Sequence, residues 1–238
     1  MKPLFERSAH QFAALLGGRG GAKSTAVGIV LLLLSRAGQI RVVCARQFQA
    51  SIAASVKQLL DDWVGRLGLG DEFRSTETAI EHRATGSGFI FIGLDRNPAS
   101  VKALEGCDIA WVEEAHVVTR RSLDTLIPTV RRPGSALWFT YNPELSDDPV
   151  DAFFRGEEGP PPGSLIVETN YDSNPWFFAT SLPAVLGRDM TGHDRNRAEH
   201  IWMGAHAHLA EAAILPGVEV GDVESAGWNE VVGLDFSG

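Results

Sequence analysis

The chain has 238 residues, 44% of them hydrophobic, and 30 acidic side chains against 21 basic ones give a net charge of −9. Those figures suit a globular protein with a substantial core, and the acidic balance argues against a general nucleic-acid coat while leaving room for a local basic track. The longest uninterrupted apolar run, Ile29 to Leu34, is far too short for a membrane span, and Met1 to Arg7 turns charged before any secretory leader develops. Cys44 and Cys107 lack metal-ligand spacing and sit in apolar surroundings, so they read as reduced core thiols in a cytoplasmic protein.

Taken in chain order, apolar runs alternate with helical patterns over the first 170 residues, as in an α/β domain with a mainly parallel sheet. Phe12 to Leu16 suits a buried strand, Lys23 to Arg36 a helix, Ile40 to Cys44 a strand and Ala50 to Val64 a helix. Phe89 to Ile92 reads as a strand, paired across a hairpin with the segment around Thr78 to His82. Ile109 to Val112 is a buried strand ending in two carboxylates, followed by a short helix over Ser122 to Val130 and strands at Ala136 to Thr140 and Leu165 to Thr169. Glu157 to Gly163 is a Pro/Gly-rich surface loop. From Trp176 onward, Phe177 to Gly187 and Arg195 to Trp202 look helical, Gly217 to Gly227 reads as a linker, and Val231 to Phe236 as an opening strand.

Between the first strand and the first helix lies Gly17-Gly18-Arg19-Gly20-Gly21-Ala22-Lys23-Ser24, followed by Thr25. It fits the phosphate-binding pattern G-x-x-x-x-G-K-[ST] except for Ala22 in place of the last glycine. In such a loop the backbone N–H groups and the positive end of the following helix hold a polyphosphate. Lys23 would reach the β- and γ-phosphates and the Ser24 hydroxyl would ligate Mg²⁺. At the first turn of a helix a methyl group is tolerated if φ is negative, so a negative φ is expected at Ala22.

A phosphate-loop ATPase needs carboxylates on a neighbouring strand, one to orient the metal and one to activate water. Glu113 and Glu114 supply both at the end of Ile109-Ala110-Trp111-Val112: Glu113 for the metal, Glu114 as general base. Adjacent strand residues point to opposite faces, but at a strand end both can approach one site. Thr140 or Asn142, closing the strand of Trp138-Phe139-Thr140-Tyr141, could sense the γ-phosphate. An arginine usually stabilises the transferring phosphoryl group, and both Arg19, inside the loop, and Arg46, after the second strand, are candidates.

In combination, Gly-Gly-Arg-Gly-Gly-Ala-Lys-Ser, Trp-Val-Glu-Glu-Ala and Phe-Thr-Tyr-Asn-Pro resemble the large terminase subunit of tailed bacteriophages, the motor that packages DNA. Arg46 with Ser51 and Ser55, Thr119 to Gly134, Asn170 to Pro175 and His200 to Gly204 are similar to further landmarks of that family, so the resemblance runs along essentially the whole chain. It implies a P-loop NTPase core of the additional-strand, catalytic-glutamate type over residues 1–175, with a central mainly parallel sheet flanked by helices. A small helical linker subdomain over 176–228 and the first strand of an RNase-H-like nuclease domain over 229–238 would follow. By the same resemblance the loop from Gly17 to Thr25 binds ATP with Mg²⁺, Glu113 supports the metal, Glu114 is the base, and Thr140 to Asn142 couple hydrolysis to movement. Arg19 would sense phosphate or act as a finger, and Arg7 would lie near the adenine. Asp235 matches the first metal-binding carboxylate of the nuclease, whose remaining acids are not in the sequence, so cutting of DNA is not expected of this chain. The implied partners are double-stranded DNA, the small terminase subunit, the portal protein of the procapsid and further copies in a ring, without a membrane, in the host bacterial cytoplasm. A helicase- or recombinase-like ATPase, or a nucleotide-binding assembly module with little turnover, are the alternatives on the same core.

Overall fold

The strands expected from the apolar runs between Phe12 and Thr169 are present, and they join in one sheet. In the computed structural model, which describes residue 4 and residues 10–48, 52–95 and 104–207, these are β1 (Phe12–Leu16), β2 (Arg41–Arg46), β3 (Phe73–Ser75), β4 (Ala79–His82), β5 (Ser87–Gly93), β6 (Ile109–Glu113), β7 (Ala136–Tyr141) and β8 (Leu165–Glu168). Their spatial order is β3-β4-β5-β2-β6-β7-β1-β8. From β5 to β8 every pairing is parallel, whereas β3, β4 and β5 form an antiparallel meander at one edge. Every residue of β1 and β7 is buried. That explains their continuous apolar sequence: a parallel strand covered on both faces has no solvent side to encode.

Helices α1 (Lys23–Ala37), α2 (Gln58–Arg66), α3 (Arg120–Thr129), α4 (Pro149–Arg155), α5 (Leu182–Thr191) and α6 (Arg195–Met203) complete the framework. Two hydrophobic clusters line the two faces of the sheet. One gathers Val27, Leu31, Leu60, Trp111 and Trp138; the other gathers Leu123, Leu126, Phe139 and Phe154.

Several elements differ from expectation for identifiable reasons. The helix expected from Ala50 to Val64 opens with a π-helical turn at Ala53–Lys57 before α2. The helix expected from Ser122 begins at Arg120, because the Thr119 side chain caps it by accepting a hydrogen bond from the Ser122 N–H. The helix expected over Phe177 to Gly187 is divided into a 3₁₀ turn at Phe177–Ala179 and α5, with Pro183 in the first turn of α5. Strand β3 and helix α4 are additions that short, mixed-polarity segments did not announce.

Residues up to Ala207 group as one compact unit. Within it α5 and α6 keep a small core of their own, made of Phe177, Ala198 and Trp202 with Tyr171, Leu182 and Ile201 packed on it. Arg7, Ser51, the linker at Gly217 to Gly227, and the final strand with Asp235 lie outside the described residues.

Candidate active site

The phosphate loop bridges the buried end of β1 and the start of α1. Gly17 and Gly20 take φ of 134° and 82°. Gly18 and Gly21 are needed for a different reason: a Cβ would fall 2.1 Å from the Trp202 carbonyl oxygen at the first and 2.4 Å from the Thr169 carbonyl oxygen at the second. Chain segments behind the loop therefore press directly on its backbone. Hydrogen bonds fasten it there. Asn170 Oδ1 accepts from the Gly18 N–H at 2.6 Å, Asn174 Nδ2 donates to the Gly20 carbonyl at 2.7 Å, and the Arg19 N–H donates to the Ile201 carbonyl at 2.7 Å.

Ala22 corrects the expectation of a negative φ. It stands at φ 55°, ψ 26°, left-handed, as the N-cap of α1. The residue lies just before the first helical turn rather than in it, where the chain reverses into the helix. That geometry favours glycine, and the methyl costs about 1–2 kcal/mol.

Lys23 is 8% exposed, and its ammonium donates to the Gly17 and Gly18 carbonyls at 2.9 and 2.6 Å. Burial lowers its pKa to about 8, with the charge of Glu113 opposing the shift. Ser24 Oγ donates to Glu113 Oε1 at 2.9 Å. Burial raises the Glu113 carboxyl above its usual value, with the neighbouring Arg46 guanidinium as the largest opposing influence.

Strand β7 lies between β1 and β6, so the loop and the glutamates are separated by one inserted strand whose end supplies Thr140 and Asn142. The Thr140 hydroxyl accepts from Trp111 Nε1 at 2.9 Å, which holds it at the base of the site.

A cleft of about 520 Å³ brings together Arg19, Lys23, Ser24, Glu113, Glu114, Thr140 and Asn142. Arg46 is not among its lining residues; its guanidinium is turned to the two glutamates, reaching Glu113 at 2.5 Å and Glu114 at 2.9 Å. Glu114 has φ 52°, ψ 48°. This left-handed turn breaks strand alternation at that residue, and both carboxylates reach one guanidinium.

Sequence reasoning assigned no role to His116, Glu144 and His200, which also border the cleft. His116 Nε2 stands 3.7 Å from Glu144 Oε2, and its buried Nδ1 has no hydrogen-bond partner among the described residues. The loop-fastening residues Asn170, Asn174 and Ile201 also had no assigned role. Asn170 and Asn174 fall in the Asn-Tyr-Asp-Ser-Asn-Pro run, where closely spaced asparagines were the available signal for side chains that bind backbone.

The phosphate loop, the inserted β7 and the carboxylate-ended β6 define a class: an α/β domain of the P-loop nucleotide-binding fold with an additional strand. Residues 9–201 match the family model described as phage terminase large subunit. The chain belongs to the phage terminase large subunit family.

Solved structures share the fold. The large terminase of the thermophilic bacteriophage D6E superposes with a TM-score of 0.64 at 13% identity, over 84% of this chain and 49% of that one. The ATPase domain of the Thermus phage P74-26 large terminase gives 0.59 at 15% identity, over 84% and 90%. The N-terminal domain of the DNA-packaging ATPase from bacteriophage phi29 gives 0.53 at 15%, over 70% and 93%. The match thus spans about half the length of the D6E terminase. Among curated proteins no sequence matches. Among the described residues no helix is long and apolar enough to cross a membrane.

Proposed function

We propose that this chain is the ATP-hydrolysing motor domain of a DNA-packaging terminase, coupling turnover to movement of double-stranded DNA into a procapsid. One observation carries the reading: Ser24 and Glu113 meet at 2.9 Å from opposite sides of the inserted strand, with Lys23 and Glu114 bordering the same cleft. Family membership supports it over a helicase or recombinase. Supporting evidence on the ligand comes from the D6E terminase, whose fold was solved in complex with ADP and with ATP-γ-S.

The donor set fits Mg²⁺: a serine hydroxyl and a carboxylate are hard oxygen ligands. Such a cation neutralises charge developing on the transferred phosphoryl group. Lys23 would exchange the Gly17 and Gly18 carbonyls for phosphate oxygens. That exchange suits an ammonium buried without a carboxylate hydrogen bond. Glu114 is the general base that orients and deprotonates water, and its half-exposed side chain suits contact with solvent. Arg19, exposed on the loop beside the cleft, supplies positive charge to the phosphates. Asn142, at the end of β7, senses the γ-phosphate, and Thr140 fixes that strand end through Trp111.

The domain would act in the host bacterial cytoplasm with the small terminase subunit, the portal of the procapsid and further copies of itself in a ring. DNA would be held by backbone contacts indifferent to sequence and sensitive to salt. Steady-state hydrolysis, measured alone and with portal ring and either duplex or single-stranded DNA, tests the reading. Mg²⁺-dependent ATP turnover stimulated by duplex is expected. Stimulation only by single strands would point to a helicase, and binding without turnover under every condition to an assembly module.

A further inference from the structure

After α6 the chain runs from the phosphate loop to the loop that leaves β7. Ile201 and Trp202, in the last turn of the helix, already meet the phosphate loop through their carbonyls. Gly204, left-handed at φ 70°, continues the contact: a Cβ there would fall 2.6 Å from the Gly17 Cα and 2.9 Å from the Gly18 nitrogen. Three residues later the Ala207 N–H donates to the Glu144 carbonyl at 2.8 Å. His200, Ile201 and Glu144 all border the catalytic cleft. Residues 204–207 therefore tie the phosphate loop to the segment that follows Asn142.

The far end of this segment is anchored on a buried carboxylate. Asp151, on α4 and 1% exposed, takes Arg155 Nε on Oδ1 at 2.9 Å and His206 Nε2 on Oδ2 at 2.8 Å. Arg155 Nη2 lies 2.8 Å from the same imidazole nitrogen. The Tyr141 hydroxyl stands beside the carboxylate: burial first, and then the Asp151 charge, raise the pKa of the phenol. Yet this buried hydroxyl has no well-formed hydrogen bond among the described residues, which is costly for a polar group removed from water. One donor holds the carboxylate while a second stands by, and the second is on β7 between Thr140 and Asn142.

We propose that residues 204–207 are a strap whose release from Asp151 opens the nucleotide cleft, with His206 and Tyr141 as alternative donors to that carboxylate. With His206 on Oδ2 the strap is fastened, and Gly204 keeps the phosphate loop in place. When His206 leaves, the Tyr141 hydroxyl donates to Oδ2, so the buried acid keeps its partners and the strap end is free. Tyr141 adjoins Asn142, so movement of the γ-phosphate sensor reaches Asp151 through one residue. His206 and Tyr141 act through the loops they hold, as positioning residues. The inference rests on the ATPase reading above.

Two readouts test the strap, the first without nucleotide. Amide hydrogen exchange is followed at Ala207 and at Arg19, whose N–H groups donate to the Glu144 and Ile201 carbonyls. His206→Ala should speed exchange at both by about tenfold or more, while His206→Gln, which can still donate to Asp151, should keep most of the protection. Tyr141→Phe removes the waiting donor and should slow exchange at Ala207. In the second readout, dissociation of a fluorescent ADP analogue is timed by stopped flow. His206→Ala should speed release severalfold and Tyr141→Phe should slow it severalfold, whereas two merely structural losses would shift release in the same direction. Tyr141→Phe, the conservative change, carries both readouts alone if His206→Ala does not fold. Faster exchange at Ala207 with Arg19 unchanged would overturn the strap, as would release that is unaltered in His206→Ala or faster in Tyr141→Phe. The ATPase reading would fail differently, through wild-type protein that holds no ADP analogue, with exchange at Ala207 and Arg19 still deciding whether the strap exists.

Discussion

Ser24 and Glu113 lie 89 positions apart in sequence, yet the Ser24 hydroxyl donates to the Glu113 carboxylate at 2.9 Å. The contact closes the site from two sides: the first turn of α1 and the end of β6, with β7 between their strands. It also predicts coupling. In a double-mutant cycle of Ser24→Ala and Glu113→Gln, read by chemical denaturation without nucleotide, the two changes should be non-additive by about 1 kcal/mol. Each single change should also weaken Mg²⁺-dependent nucleotide binding more than binding in chelator.

Ala22→Gly relieves a left-handed backbone. The strain removed is about 1–2 kcal/mol, and the greater freedom of glycine in the unfolded chain offsets about 0.5–1 kcal/mol of it. A net gain of roughly 0.5–1 kcal/mol, or about 1–4 °C in the thermal midpoint, is expected. A lower midpoint would show that the alanine conformation is not strained.

Lys23 makes stability depend on pH in a definite direction. Its folded pKa, lowered by burial to about 8, lies below the ordinary lysine value of 10.5. Between those values the unfolded chain binds more protons than the folded one, so rising pH stabilises the folded state, by up to about 3 kcal/mol across that window. Below pH 8 the group is charged in both states and the contribution is flat. Subtracting the profile of Lys23→Met isolates the effect, and a difference profile with no upward slope between pH 8 and 10.5 would contradict it. Phosphate contact favours the ammonium, so nucleotide binding near pH 8 should also take up a fraction of a proton, measurable by calorimetry in buffers of different ionisation enthalpy.

Asn170→Ala removes the acceptor held by the Gly18 N–H at 2.6 Å. A part-buried backbone donor left unpaired costs about 1–3 kcal/mol. The lost restraint lies behind the phosphate loop, so nucleotide affinity should drop severalfold along with the thermal midpoint. An unchanged affinity would mean that the loop keeps its shape without this fastening.

The sequence made the sheet and the chemical groups legible, and the reasons are physical. Buried parallel strands such as Phe12 to Leu16 and Ala136 to Tyr141 carry long apolar runs. The loop motif requires glycines and a Lys-Ser pair in fixed order. Less legible was anything decided by distant packing. Whether Ala22 adopts a positive φ depends on how the loop enters α1, and its own side chain carries no sign of it. The Arg46 bridge depends on the register of β2 against β6 and on the left-handed turn at Glu114, so sequence left Arg46 as one of two candidate phosphate contacts. The Asn170, Asn174 and Ile201 contacts join residues more than 150 positions from the loop, and only the tertiary fold brings them there.

The central claim is that Glu114 is the base of an ATP-hydrolysing site, and single-turnover hydrolysis by Glu114→Gln tests it most directly. The carboxamide keeps the shape of the side chain but accepts a proton poorly. Turnover is expected to fall by about 100-fold or more, since a general base typically contributes 10²–10⁴-fold, while nucleotide affinity stays within about threefold of wild type and the thermal midpoint changes little. Hydrolysis at the wild-type rate in folded, nucleotide-binding Glu114→Gln protein would contradict the assignment.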